Sequence, residues 1–396
     1  MTTAVSAAPA TDSLLGVYRR PPMEFVRGAG VELFDADGKA YLDFVAGIAV
    51  NSLGYGDEGL ERAMREAMES GIVHISNLYR TAAGERLADK LVERTFADRV
   101  FFCNSGAEAN EGAFKIARRW GRATGGAAKH EIIALRGAFH GRLFGTLAAT
   151  DRPAYRAPFR PLAGGISIVE RDIEELEAAL NSETVAAVIA EPVQGEGGVR
   201  VLEHEFLVAL RELTRSRGIA LILDEIQCGY GRTGTFLAHE QAGIVPDLLT
   251  VAKPMAGGLP MGAILATKEI ADTMQPGDHG TTFGGGPFLS HVALHVLERL
   301  SDPAMLAHVT SNGAWMRKAL QKMASARSSK IRAVRGIGYM WGIDIVDPSK
   351  DVVARALDAG LLICSAGEHT LRLLPPLVTT RADLERGLGI LATAIG

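Results

Sequence analysis

Between positions 100 and 251, short uninterrupted apolar runs alternate with stretches of helical periodicity. The runs are Val100–Cys103, Ile132–Leu135, Val185–Ala190, Ile219–Leu223 and Leu248–Val251. The stretches between them include Ala107–Trp120, Ile173–Leu180 and Glu205–Arg217. A strand with one wet face alternates polar and apolar residues. Runs without alternation need cover on both faces, as in a parallel sheet flanked by helices. The pattern predicts an α/β domain built from βαβ units around a mainly parallel central sheet.

The flanks read differently. Val31–Phe34 and Tyr41–Phe44 bracket the turn Asp35-Ala36-Asp37-Gly38, a β-hairpin pattern, and a helix follows over Glu58–Glu69. After Pro287 come helices over Phe288–Leu300 and Met305–Ala324. Short strands then lie near Ile331–Val334, Tyr339–Ile345 and Leu371–Leu373, with helices over Val352–Ala359 and Ala382–Ile395. This predicts a smaller α+β unit, which the N-terminal hairpin joins. The expected division is a large domain over 58–287 and a small one from 1–57 and 288–396. A chain of 396 residues is long enough for two cores.

A formal net charge of -4 excludes the basic field that gathers nucleic acid or an anionic membrane, and points to small-molecule or protein partners. No run reaches the ~20 apolar residues needed to span a bilayer. Cys103, Cys228 and Cys364 form neither a zinc pattern nor a disulfide framework, so buried thiols in a reducing compartment are expected. Met1–Asp12 carries no signal or transit features and reads as a frayed terminus of a cytoplasmic protein.

Four of the apolar runs end in polar residues, and in open α/β sheets ligands bind outside the carboxyl ends of strands. Val100–Cys103 leads to Asn104-Ser105-Gly106, Val185–Ala190 to Glu191-Pro192, Ile219–Leu223 to Asp224-Glu225, and Leu248–Ala252 to Lys253. Ser105 reads as the N-cap of a helix, with Glu108 closing a capping box. The free amides there suit a phosphate, although a capped helix with no ligand explains the same residues. Asp224, at the end of a buried strand, needs a partner. A pyridinium nitrogen would serve, and so would a structural arginine. Lys253 lies between a buried run and the turn Pro254-Met255-Ala256-Gly257-Gly258. Desolvation there would lower its pKa and free its amine as a nucleophile. The Gly-rich segment His279–Gly286 offers amides and hydroxyls to a phosphate, or is only a connector.

Taken together, these pieces resemble the class III aminotransferases, over roughly Tyr18 to the C-terminus, and within them most closely the members that use acetylornithine. The resemblance rests on the order and spacing of several motifs. They are Tyr41-Leu42-Asp43-Phe44 with Gly47–Gly54, Asn104–Glu111, Phe139-His140-Gly141-Arg142, Glu191–Gly198, Asp224-Glu225-Ile226-Gln227, Lys253, Thr281–Gly285 and Leu371–Pro376.

The resemblance implies the fold type I architecture of transferases dependent on pyridoxal 5'-phosphate (PLP), and it implies residue roles. Ser105, Gly106 and Ala107 would hold the cofactor phosphate. Phe139 and Ile226 would pack on the two ring faces. Asp224 would pair with the ring nitrogen, Gln227 with the ring hydroxyl, and Lys253 would carry the cofactor as a Schiff base. Thr282 would reach the phosphate of a neighbouring subunit, which implies a homodimer with shared sites, and Thr281 would lie near substrate. Arg142 and Arg372 would anchor carboxylates through paired hydrogen bonds, with Glu196 able to neutralise Arg372. No metal is implied. The implied reaction moves the terminal amine of acetylornithine to 2-oxoglutarate in two half-reactions, a step of arginine biosynthesis. Relatives acting on ornithine, acetyllysine, succinyl-diaminopimelate or 4-aminobutyrate share much of this pattern.

Two departures from the family pattern stand out. Tyr55-Gly56-Asp57-Glu58 replaces a His-containing, Pro-ended turn, and Gly286 stands where Asn usually precedes Pro287. Two rival readings remain. A decarboxylase or racemase of the same fold would not need both Arg142 and Arg372. A regulatory protein of this fold usually carries a DNA-binding domain in front.

Overall fold

The computed structural model describes residues 13–396 other than 19 and 22, so the expectation for Met1–Asp12 lies outside the described residues. Its centre is a seven-stranded sheet. In spatial order the strands are Arg99–Cys103, Gly262–Ala266, Leu248–Val251, Ala220–Asp224, Val185–Ala190, Glu131–Leu135 and Ile166–Val169. Six run parallel. Gly262–Ala266 runs against both of its neighbours.

The three middle strands, Val185–Ala190, Ala220–Asp224 and Leu248–Val251, are buried at every residue, as their unbroken apolar runs require. The outer strands Arg99–Cys103 and Ile166–Val169 are partly exposed. Gly106–Gly125 covers one face through Ala109, Ala113, Phe114, Ile116 and Ala117, a stripe of helical spacing. His204–Ser216 buries Leu207 and Leu210 in the core that also holds Leu221 and Leu223. Full burial of each such side chain stabilises the fold by about 1.5–3 kcal/mol.

Among the elements not expected from the sequence are two strands of the central sheet and a helix of 13 residues. Gly262–Ala266 and Ile166–Val169 complete the sheet, and Ala82–Arg94 packs beneath it. The helix Pro287–Leu300 lies against Glu58–Glu69 and Ala82–Arg94 and touches the turn that begins at Lys253.

The hairpin forms as expected, with Glu32–Asp35 antiparallel to Ala40–Asp43. Asp35 Oδ1 accepts from the amides of Asp37 and Lys39, which fixes the turn. Ala40–Asp43 then pairs in parallel with Leu361–Leu362 from the C-terminal part. That part adds an antiparallel sheet in the order Ile331–Ile337, Met340–Ile345, Thr370–Leu373, Cys364–Ser365. Cys103 and Cys228 are buried, as expected, but Cys364 is only partly so: it sits in the edge strand Cys364–Ser365. Among the described residues no helix is long and apolar enough to cross a membrane.

Candidate active site

Parallel strands bring their carboxyl ends to one edge, and a cavity of about 460 Å³ opens there. Ten of the residues expected from the sequence line it. From the cofactor set these are Ser105, Gly106, Ala107, Phe139, Asp224, Ile226, Gln227 and Lys253, and from the substrate set Arg142 and Glu196. Arg372 sits just behind the wall, bonded to Glu196 and Gln227. Thr281 and Thr282 do not reach this cavity. They line a second, open hollow of about 790 Å³ with His74, Asn77 and Tyr79. Thr281 stays connected to the first site through Asn104, whose Nδ2 donates to its Oγ1 at 3.3 Å.

The wall at Ser105 follows from helix capping. Ser105 is extended (φ -152°, ψ 164°), and its hydroxyl accepts from the amide of Glu108 at 3.2 Å. The Glu108 carboxylate does not return to the Ser105 amide, as a capping box would require. Instead Glu108 Oε2 accepts from the amide of Asn104 at 2.8 Å and from Asn104 Nδ2 at 2.9 Å. The amides of Gly106 and Ala107, in the first turn, have no acceptor within the helix, and both residues line the cavity. A helix N-terminus of this kind favours an anion. Gly106 must be glycine, because a Cβ there would lie 2.8 Å from Ile226.

Asp224 ends the strand Ala220–Asp224 and is 4% exposed. Its Oδ2 accepts from Asn110 Nδ2 at 2.7 Å and from His140 Nδ1 at 2.8 Å, and its Oδ1 accepts from the Ile226 amide at 3.1 Å. Asn110 is oriented in turn by Thr250, which donates to its Oδ1 at 2.7 Å. Among the described residues no arginine pairs with Asp224: the side chains bonded to it are Asn110 and His140. Beside them, Glu191 accepts from the amides of Phe139 (2.8 Å) and Gly195 (3.3 Å). Burial pushes the Glu191 carboxyl up to about 7, with His140 opposing the shift and Asp224 adding to it.

His140, Asn110, Thr250 and Glu191 received no role from the sequence alone. Asn110 lies on the buried side of a helix, and His140 adjoins the singled-out Phe139. Only the spatial meeting with Asp224 shows what they do.

Lys253 opens a short 3₁₀ turn, Lys253–Ala256, closed by Gly257 at φ 61°. Among the described residues it forms no ion pair. Burial lowers its pKa to about 8. Arg372 lowers it too, while Glu196, Asp224 and Glu191 oppose the shift. A lysine in this state has a substantial neutral fraction near neutral pH, which nucleophilic attack on a carbonyl requires.

The two guanidinium groups differ. Arg142 is exposed at the mouth and stacks on Tyr155, 3.6 Å from the ring centroid, with no carboxylate partner among the described residues. Arg372 is 2% exposed and fully engaged. Its Nη2 pairs with Glu196 Oε1 at 2.7 Å, its Nη1 donates to Gln227 Oε1 at 3.2 Å, and its Nε donates to Cys364 Sγ at 3.4 Å. Glu196 sits in the turn between Val193–Gln194 and Arg200–Val201, with its carboxylate partly exposed.

The cavity wall also includes Val50, which follows an unusual turn. Ala46, Gly47, Ile48 and Ala49 have φ of 50°, 64°, 65° and 65°. Left-handed conformations cost non-glycine residues on the order of 1–3 kcal/mol each, so the surroundings must hold them. Asp43 contributes, accepting from the amides of Val45 at 2.7 Å and Ala46 at 3.0 Å.

The model of the family described as aminotransferase class-III matches residues 17–395. The chain belongs to the class III aminotransferases. Acetylornithine aminotransferase of Methanocaldococcus jannaschii is 43% identical, covering 94% of this chain and 93% of its own. That of Mycolicibacterium smegmatis is 44% identical over the same shares. Among solved structures, N-acetylornithine aminotransferase of Stenotrophomonas maltophilia matches at 36% identity with a TM-score of 0.83, covering 94% of this chain and 95% of that one. Ornithine aminotransferase of Toxoplasma gondii superposes with a TM-score of 0.92 at 29% identity, covering 97% and 92%. The backbone is thus shared across enzymes named for different amino donors, so donor choice resides in side chains.

This chain is a PLP-dependent aminotransferase of fold type I. The site fits the cofactor on its own terms: free helix-terminal amides at one end, a buried carboxylate with no arginine or lysine partner among the described residues at the other, and a neutralisable lysine between them.

Proposed function

We propose that the chain transfers the terminal amino group of N-acetylornithine to 2-oxoglutarate, giving N-acetylglutamate semialdehyde and glutamate, a step of arginine biosynthesis. One observation carries this reading: at one cavity, Arg142 has no acidic partner among the described residues while Arg372 is neutralised by Glu196. N-acetylornithine brings one carboxylate, which Arg142 would take through two parallel hydrogen bonds. Glutamate brings two. For it, the partly exposed Glu196 side chain would turn away and leave Arg372 to the second carboxylate.

PLP, when bound, supplies an aldehyde that condenses with amines and a ring that accepts the electron pair left when a carbon–hydrogen bond is broken. The amides of Gly106 and Ala107 with the Ser105 hydroxyl would hold its phosphate, and Phe139 and Ile226 would confine its ring. Asp224, oriented by Asn110 and His140, would keep a proton on the ring nitrogen. The Gln227 amide would face the ring hydroxyl. Lys253 would hold the cofactor covalently. When displaced by substrate, its Nζ would take the proton from the carbon bearing the amine and return it later. Thr281 and Thr282, on a separate open hollow, would serve the site of a second copy in a homodimer. The division into 58–287 and a unit of 1–57 with 288–396 belongs to the same reading, as does a cytoplasmic location.

A panel of amino donors with 2-oxoglutarate tests the substrate. N-acetylornithine is expected to show the highest kcat/KM. Ornithine, acetyllysine, succinyl-diaminopimelate or 4-aminobutyrate in first place would overturn the assignment.

A further inference from the structure

Tyr55 belongs to neither the cofactor set nor the substrate set, yet its hydroxyl joins the buried Asp43 to the half-buried Asn51. It donates to Asp43 Oδ2 at 2.6 Å and accepts from Asn51 Nδ2 at 3.2 Å. Its backbone is tied to Gly30 by two hydrogen bonds, of 2.7 and 2.8 Å. Its side chain fits because residue 28 is glycine, where a Cβ would lie 2.7 Å from that of Tyr55. The other oxygen of Asp43 holds the amides that start the left-handed turn at 46–49. Asn51, at the far end of that turn, sets its Oδ1 3.2 Å from where a Cβ of Gly258 would be. Val50, between turn and Asn51, and Gly258 both line the active-site cavity.

We propose that Tyr55, Asp43 and Asn51 form a clamp that holds the left-handed turn at 46–49 and so sets the position of Val50 in the substrate cavity, making Tyr55 a positioning residue for amino-donor selectivity. The turn pays its conformational cost only while both of its ends are held. Asp43 holds the start, Asn51 the end, and the Tyr55 hydroxyl joins the two. Without that hydroxyl, the Asp43 oxygen and the Asn51 amide lose their common partner, and Val50 gains freedom against the substrate. No group of the clamp lines the catalytic floor at Lys253 and Asp224.

The inference rests on the proposed donor reading for its choice of substrates, not for its logic. Holoenzyme carrying Tyr55→Phe is compared with wild type for kcat and KM with N-acetylornithine and ornithine, and for melting temperature and cofactor absorbance. The ratio of kcat/KM between the two donors is expected to change about tenfold, through KM, the size of effect produced by a small misfit in an apolar wall. Cofactor absorbance should be unchanged and kcat should stay within about twofold. In a Val50→Ala background, Tyr55→Phe should add nothing to the ratio, because both act through one residue. An unchanged ratio in Tyr55→Phe, with or without a fall in melting temperature, overturns the clamp, and so does full additivity with Val50→Ala. Should Tyr55→Phe fail to fold, Asn51→Ala cuts the same network from its other end and is read the same way. A wild-type preference for some other donor would sink the substrate assignment alone, since the ratio between the two best donors would still report the clamp.

Discussion

At the inner end of the cavity, Asp224 is held by an amide and two side chains, one of which is itself oriented by Thr250. At the outer end, Arg142 rests on a ring with no acidic partner among the described residues, and Arg372 is neutralised by a partly exposed glutamate. Of the inner groups, Asp224 and Lys253 lie at the ends of fully buried strands, and Asn110 comes from the buried side of the helix Gly106–Gly125. The outer ones come from loops and from the smaller C-terminal sheet. A buried charge needs a partner at all times, whereas an exposed one can exchange partners at little cost: Arg142 and the partly exposed Glu196 carboxylate are of the second kind, and the buried Arg372 can release Glu196 only to a substrate carboxylate. The difference implies that chemistry belongs to the rigid end and substrate exchange to the adjustable one.

The harshest test of that contrast is Lys253→Ala, which should lower kcat by at least about 10³-fold and abolish the covalently bound cofactor's absorbance band. Turnover close to wild type would remove the inner end's claim to the chemistry. Asp224→Asn should cost roughly 10²–10³ in kcat, because it removes the charge while keeping the shape. A change confined to KM would place Asp224 in binding instead.

The pH dependence of stability isolates Lys253 further. Its folded-state pKa, about 8, lies below the unfolded value near 10.4, so between those limits the unfolded chain holds more protons. Stability from this group therefore rises with pH across that window, and the cost is fully present below pH ~8. Cofactor-free Lys253→Met should then be more stable than cofactor-free wild type by about 2–3 kcal/mol at pH 7. The gap should close above pH ~10.5, as seen in denaturant titrations at several pH values. A gap that does not change with pH would contradict a desolvated lysine.

At the outer end the effects should be smaller and selective. Glu196→Ala frees Arg372, so KM for 2-oxoglutarate should fall and KM for N-acetylornithine should rise, each by about tenfold or less. Equal shifts for both substrates would mean that Glu196 does not sort them.

The same contrast describes what could be read from the amino acids alone. The buried strands were legible because an apolar run without alternation has few alternatives. Val185–Ala190 and Leu248–Val251 match their expected bounds, and Lys253, Asp224 and Ser105 fall where strand ends place them. Gly262–Ala266 was not legible: its Gly and Ala residues carry little strand preference, and it follows a Gly-rich turn. The capping detail at Ser105 was missed because Asn104 and Ser105 both offer an amide to Glu108, and only the three-dimensional turn decides between them. The support of Asp224 by Asn110, Thr250 and His140 depends on long-range contacts that no local pattern encodes. The partial exposure of Cys364 follows from an edge strand only two residues long.

The account depends most on where the cofactor is attached. Borohydride reduction of the holoenzyme, followed by peptide mass mapping, fixes that attachment permanently. The cofactor mass should be found on the peptide containing Lys253 and on no other lysine peptide. Its recovery on a different lysine, or on none, would contradict the account.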